Sequence, residues 1–278
     1  MNLDVVIPAR NESENLPHVL GALQNQTHRA DRTILVDDRS TDSTVQIAKQ
    51  FHVDEVVQIT GDPNYRHPPG SPSLTRVFNK GLERVSANAE WVMILGGDHV
   101  LDANYVETVM RHMNEDDAML ASGAIRGEPT ETPRGSGRIT SVPVWKELFG
   151  KLAYRQCFGY ESYAVAKFEK AGYKTAMYED ALSSVRRFTS NNTNFVNYGR
   201  GMKFLGYPFE RVISRAAATV IRQHRPISAI QLMSGYLTYR EISDVADFIC
   251  QNPMNRFQWV RNVAIPHVLA RKLFKWHH

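Results

Sequence analysis

The sequence predicts an α/β fold: a mostly parallel, doubly wound central sheet flanked by helices, with a C-terminal helical extension. Three observations carry that expectation. Nearly uninterrupted apolar, β-branched runs recur at residues 3–8 (LDVVIP), 33–36 (TILV) and 91–95 (WVMIL), as in strands buried on both faces. Segments with helical apolar spacing lie between them, and alternation of this kind builds a parallel sheet through crossover connections. From residue 194 onward the pattern is mainly helical.

The elements follow in order. The first strand leads into Asn11-Glu12-Ser13-Glu14-Asn15 and a helix over 16–23. The second ends in Asp37-Asp38-Arg39-Ser40-Thr41-Asp42-Ser43-Thr44, rich in helix-capping residues, so a helix over 45–51 follows. Residues 53–59 read as a third strand, 61–73 as a Pro- and Gly-dense loop, and 74–85 as a helix. The strand at 91–95 ends in Gly96-Gly97-Asp98-His99, and 105–113 is helical. Then come a strand at 119–125, a mobile loop at 127–137, helices at 145–154 and 161–171, and a strand at 173–178.

Composition narrows the function. Of 278 residues 42% are hydrophobic and 22% charged, enough apolar material for a sizeable core. Lys and Arg number 33 against 29 Asp and Glu, too mild an excess to call for nucleic acid. No acidic residue follows Asp247, while Arg256, Arg261, Arg271, Lys272 and Lys275 alternate there with Phe257, Trp259, Leu273, Phe274 and Trp276. That composition suits an interfacial amphipathic helix, and equally a helix packed on the core or on a second copy in a homodimer. Cys157 and Cys250 lie far apart, no secretory signal is evident, and no apolar run reaches the roughly 18 residues that span a bilayer. The expectation is a cytoplasmic protein, at the inner face of the membrane if the tail binds lipid.

The chemistry should sit at the strand ends, where open parallel sheets bind ligands. Three such ends are polar: residues 8–12, Asp37-Asp38 and residues 96–99. A carboxylate there can accept hydrogen bonds from a base or a ribose. Beside a diphosphate it needs a cation, and Mg2+ or Mn2+ bridging carboxylate and phosphate oxygens supplies one. Asp98 is the candidate for that ligand. Adjacent Asp37 and Asp38 repel each other unless something binds them.

VVIPARNESENLPHVLGAL followed by ILVDDRSTDST resembles the opening of glycosyltransferase family 2: a strand, Pro, Asn-Glu, then Val-Asp-Asp-x-Ser-x-Asp-x-Thr. Asn79-Lys80-Gly81, WVMILGGDHVLD and FGYESYAVAKFEKAGY (residues 158–173) resemble later segments of the same family. The resemblance covers about residues 3–200. It implies a GT-A fold and inverting transfer of a sugar from a UDP- or GDP-sugar to a glycan or lipid-linked acceptor. It places a catalytic domain at residues 1–205, with nucleotide-sugar binding in about 1–102 and the acceptor part in about 103–205, and a helical extension at 206–278. By position Pro8, Arg10, Glu12 and Gly97 would line the nucleotide-sugar pocket, Asp37 or Asp38 would meet the base, and Arg76 and Arg200 would approach the diphosphate.

Two departures from the family pattern matter. Gly96 replaces the first carboxylate of the metal-binding D-x-D, leaving Asp98, with His99 as a helper, for Mn2+ or Mg2+. Aligned without a gap, Glu161 falls on the usual catalytic Asp and becomes the candidate general base, with Glu179-Asp180 as rival. Arg186-Arg187 could face a diphosphate or an anionic acceptor. Other readings are a sugar nucleotidyltransferase, whose basic Gly-rich loop does not match Asn11-Glu12-Ser13-Glu14-Asn15, and a non-catalytic nucleotide-sugar-binding protein.

Overall fold

The computed structural model describes residues 2–128, 132–187 and 194–251. The basic tail from Arg256 lies outside them. In chain order the elements are β1 (Leu3–Ala9), α1 (Leu16–Gln24), β2 (Arg32–Asp37), α2 (Thr44–Gln50), β3 (Glu55–Gln58), α3 (Thr75–Leu82), β4 (Trp91–Ile94), β5 (His99–Leu101), α4 (Tyr105–Asp116), β6 (Ala118–Ile125), β7 (Arg138–Ser141), α5 (Val142–Phe149), α6 (Tyr160–Lys170), β8 (Lys174–Val185), α7 (Phe195–Phe204), α8 (Phe209–Gln223), α9 (Pro226–Thr238) and α10 (Ala246–Gln251).

The eight strands form one sheet in the order β3-β2-β1-β4-β7-β6-β8-β5. The four strands from β3 to β4 are parallel, whereas β7 runs antiparallel to both β4 and β6, β6 and β8 are parallel, and β5 is antiparallel to β8. Residues 3–7 of β1, 34–36 of β2 and 92–95 at β4 are buried, as strands covered on both faces must be. Leu16, Val19, Leu20 and Leu23 of α1 and Tyr105, Val106, Val109, Met110 and Met113 of α4 share one core cluster with Leu3, Val5, Ile7 and Met93. Helix α3 lies close on β1 and β2 at Gly81, where a Cβ would stand 2.8 Å from Val36 Cγ2 and nearer still to Val6. The Asn79 amide, two residues earlier, donates to the Tyr154 carbonyl (3.0 Å) and accepts from its N–H (2.8 Å). The Asn-x-Gly motif therefore has a packing role: glycine for helix-to-sheet approach, asparagine for tying down a loop.

Several elements differ from the sequence reading. The helix expected over 145–154 is α5, ending at Gly150 in the left-handed region (φ 73°). The short strands β5 and β7 have too few residues to show a period. The strand expected to stop at residue 178 continues to Val185 as β8, because Tyr178 stands opposite Gly123 and Leu182 opposite Ala124, so residues 179–181 bulge out. Exposed acids in a bulge read from sequence as a strand end.

The chain resolves into two compact units. One comprises residues 1–68, 72–156 and 167–192 and contains the whole sheet. The other comprises residues 69–71, 157–166 and 193–278, with α7 to α10. Its core is Phe195, Met202, Val212, Leu232 and Tyr236. Helices α7 and α9 meet backbone to backbone at Gly199 and Gly235, where any side chain would strike the carbonyls of Leu232 and Val196. Among the described residues no helix is long and apolar enough to cross a membrane.

Candidate active site

The parallel register puts Pro8 opposite Val36, Ala9 opposite Asp37 and Val6 opposite Ile94, so the loops after β1, β2 and β4 leave from one edge. The first two loops are locked together. Asn11 and Arg39 both have positive φ (52° and 58°), unusual for residues with a side chain. The Asn11 N–H donates to Ser40 Oγ (2.9 Å), and Asn11 Oδ1 accepts from the Thr41 N–H (2.8 Å). The Glu12 N–H reaches Thr44 Oγ1 (2.8 Å) and the Ser13 N–H reaches Asp42 Oδ2 (3.0 Å). The Ser-Thr-Asp-Ser-Thr string, expected to cap α2, serves both ends: Asp42 Oδ1 accepts the Thr44 N–H at the start of α2 (3.0 Å), while Ser40, Asp42 Oδ2 and Thr44 bind the neighbouring loop and Ser43 makes no side-chain cap bond.

Of the paired aspartates, Asp37 is buried and accepts the Ser40 N–H (3.2 Å), so it holds the turn. Asp38 is the richer group. Its Oδ1 takes Arg39 Nε and Nη2 at 2.8 and 2.5 Å, and its Oδ2 lies 3.4 Å from Arg10 Nη1 and 3.8 Å from His67 Nε2. Arg10 also donates to the carbonyls of Tyr65 (2.5 Å) and Pro63 (2.7 Å), and Arg39 lies 5.0 Å from the centre of the Tyr65 ring. Burial lowers the pKa of His67; Asp38 pulls it back up, and Arg39, Arg10 and Arg76 push it down again. Arg76, exposed on the first turn of α3, thus acts electrostatically on this cluster. The loop over 61–73 carried no motif, so His67 and Tyr65 were not legible as site residues.

The second cluster forms around Gly97. A Cβ there would stand 2.9 Å from Glu12 Cγ and 3.4 Å from the Pro8 carbonyl, so glycine permits the two loops to touch. Arg187 then joins Glu12 to Asp98: Nη2 bonds Glu12 Oε1, and Nε donates to Asp98 Oδ2 at 3.2 Å. Glu12 also accepts from Asn15 Nδ2 (2.8 Å). Burial raises the Glu12 pKa, Asn15 and Arg187 draw it down, and the Asp98 charge pushes it up. Burial disfavours the Arg187 charge, but Glu12 and Asp98 outweigh it and hold its pKa above the usual value.

His99, expected as a helper at the metal, is buried in β5. Its Nδ1 lies 2.5 Å from Ser136 Oγ, which also accepts the Gly96 N–H (2.8 Å), while its Nε2 is buried without a hydrogen-bond partner. Tyr105 anchors the same loop, donating to the Gly137 carbonyl (3.0 Å) and accepting the Gly123 N–H (2.7 Å). Burial pushes the His99 pKa down to about 4 against the upward pull of Asp98. An unfolded histidine titrates near 6.5, so between those values the unfolded chain binds the extra proton. Folding stability should therefore be intact above pH 6.5 and fall as pH drops towards 4, by up to about 3 kcal/mol from this group. Urea unfolding of the chelator-treated protein from pH 7 to 4.5 should show a flatter pH slope for His99→Asn; equal slopes would refute the assignment.

The rest of the predicted set is placed as follows. Asp180, of the rival pair Glu179-Asp180, is engaged by His112 Nε2 (2.8 Å) and Arg111 (3.7 Å) on α4. Glu161 lies in the first turn of α6, in the second unit, with its side chain half-buried. Arg200 belongs to the same unit, 5.3 Å from the Phe158 ring centre and 3.4 Å from Asn197 Oδ1.

No three His, Cys, Asp or Glu side chains among the described residues form a group that could cage a metal ion. Asp98 with Glu12 nearby fits a different kind of cation, one that takes most of its oxygen ligands from a bound phosphate and water. Arg187 spans both carboxylates and sets one positive charge between them.

The sequence profile of Glycosyl transferase family 2 matches residues 4–180, well over half of the chain. Glycosyltransferase GlyG of Streptococcus pneumoniae serotype 4 is 27% identical over 122 residues, which is 44% of this chain and 38% of that protein, so the chain matches little more than a third of that relative's length. The S. aureus TarS fragment 1–349 in complex with UDP-GlcNAc has a TM-score of 0.59 at 13% identity, covering 95% of this chain and 89% of that one. Mannosyltransferase PcManGT from Pyrobaculum calidifontis, in complex with GDP-Man and Mn2+, has a TM-score of 0.58 at 14% identity, covering 99% and 78%. Those two likenesses establish the architecture. With the profile spanning β1 to β8 and the Asn-Glu and Asp-Asp loops locked at the sheet edge, the chain belongs to glycosyltransferase family 2 and has the GT-A fold.

Proposed function

We propose that the chain transfers a sugar, with inversion, from a nucleoside diphosphate-sugar to a hydroxyl of a glycan or lipid-linked acceptor. The observation that carries this reading is the pair of charged clusters at one sheet edge: Asp38 ringed by Arg10, Arg39 and His67, and Asp98 joined to Glu12 through Arg187. In this reading Asp38 exchanges an arginine contact for a base N–H, and Pro8, Arg10 and Gly97 bound the nucleoside. Arg76 and Arg187 supply positive charge to the diphosphate. Asp98 holds Mn2+ or Mg2+, which when bound would neutralise the leaving diphosphate. His99 fixes the turn over 96–98 through Ser136 instead of ligating. Glu161 accepts the proton of the attacking hydroxyl, and Arg200 faces the leaving group. Both UDP- and GDP-sugar complexes occur among the similar structures, which supports either base for the donor.

Thermal unfolding with UDP- and GDP-sugars, with and without Mn2+, tests the donor half. One nucleotide class should stabilise the protein by about 2.7 kcal/mol at a hundred times its Kd, and only with the metal present. No shift with either class would overturn the reading. Release of pyrophosphate in place of nucleoside diphosphate would favour a nucleotidyltransferase.

A further inference from the structure

The last third of the chain combines two features that ordinary soluble surfaces keep apart. The first is exposed bulk apolar surface. Ile221 on α8 and Ile227, Ile230 and Leu237 on α9 are each between 63% and 70% exposed, and Ile213 and Val220 on α8 extend the set. On α9 the inward positions are Ala229, Leu232, Gly235 and Tyr236, so Ile227, Ile230 and Leu237 form the opposite, outward stripe. No Asp, Glu, Lys or Arg occurs anywhere in Pro226–Thr238. Several exposed bulky apolar side chains on two helices that pack together fit an interaction surface better than incidental exposure.

The second feature is charge. Residues 193–278 carry twelve Lys and Arg against four Asp and Glu, net +8, whereas the 192 residues before them carry 21 against 25, net −4. Seven of those basic residues and all four acids lie within residues 194–251 with the apolar face, net +3, and the other five basic residues lie in the tail outside the described residues. A second copy docking face to face would bring two net-basic segments together, which like charge opposes. An anionic bilayer meets both features at once: the isoleucines enter the headgroup–acyl boundary while the basic residues pair with lipid phosphates.

We infer that the outward face of α8 and α9 is a docking surface for an anionic membrane, on which the protein lies peripherally. This surface is independent of the transfer chemistry and stands or falls separately from it. The full-length protein should float with vesicles of phosphatidylcholine containing 30% phosphatidylglycerol, a composition taken as roughly that of an anionic leaflet. It should bind pure phosphatidylcholine vesicles far less, and lose the anionic binding as salt is raised. Replacing three outward residues (Ile227→Ser, Ile230→Ser, Leu237→Ser) should weaken flotation by about tenfold or more. The variant's melting temperature and nucleotide-induced stabilisation should stay unchanged, because these side chains touch solvent. Absence of wild-type flotation, or equal flotation of the triple variant, overturns the inference. So does a concentration-dependent dimer that the triple variant abolishes without any vesicle binding, which would assign the face to a second copy.

Discussion

Glu161→Gln should reduce glycosyl transfer by about two to four orders of magnitude in kcat while leaving nucleotide-sugar affinity and folding unchanged. The substitution keeps the shape of the side chain and removes its basicity. Glu161 sits in the first turn of α6, where backbone N–H groups favour a negative charge. If the residue served only the helix terminus, glutamine would weaken α6 slightly and spare turnover. The two roles therefore separate cleanly: the measurements are steady-state release of nucleoside diphosphate, donor affinity by calorimetry, and the melting temperature. Undiminished turnover in the variant would sink the base assignment. The resemblance to family 2 rests on other residues and would survive.

Asp98→Asn carries the second large effect. In the wild-type clasp one guanidinium faces two carboxylates, a net charge of −1 that favours a further cation. The amide removes that surplus, and Arg187 alone balances Glu12. Metal coordination at a transferring phosphate is worth several kcal/mol, so kcat/KM should fall by about a hundredfold to a thousandfold. Affinity for free nucleoside should change little, since the Asp38 cluster is untouched. The check is a Mn2+ titration of both activity and UDP or GDP binding. A variant that keeps the wild-type metal dependence would show that Asp98 is not the ligand.

What could be read from the sequence follows the range of the interactions. β1, β2 and β4 are legible because burial on both faces makes an apolar run, and the loops after them because Asn-Glu and Asp-Asp sit at fixed distances from those runs. β5 and β7 are not, since each has only three or four residues and gains its place from partners on β8, β4 and β6. The Arg187 clasp joins residues 175 positions apart, and no local pattern announces such a contact. His67 and Ser136 stand in Pro- and Gly-dense loops where the sequence marks only irregular backbone. The function of the Ser-Thr-Asp-Ser-Thr string was half legible: Asp42 does accept the first N–H of its own helix, but the string also ties down the loop after β1, which no local pattern announces.

That cross-loop lock has a kinetic consequence. Asn11, Ser40, Thr41, Asp42 and Thr44 fasten the two loops to each other through their own side chains and backbone, with no ligand required. Ordering entropy that a floppy pocket would surrender on capture has already been spent during folding. If the nucleoside end of the donor binds there, as proposed above, it meets a finished receptor: association should proceed in one step whose rate tracks ligand concentration, with discrimination between bases expressed in how fast each one leaves.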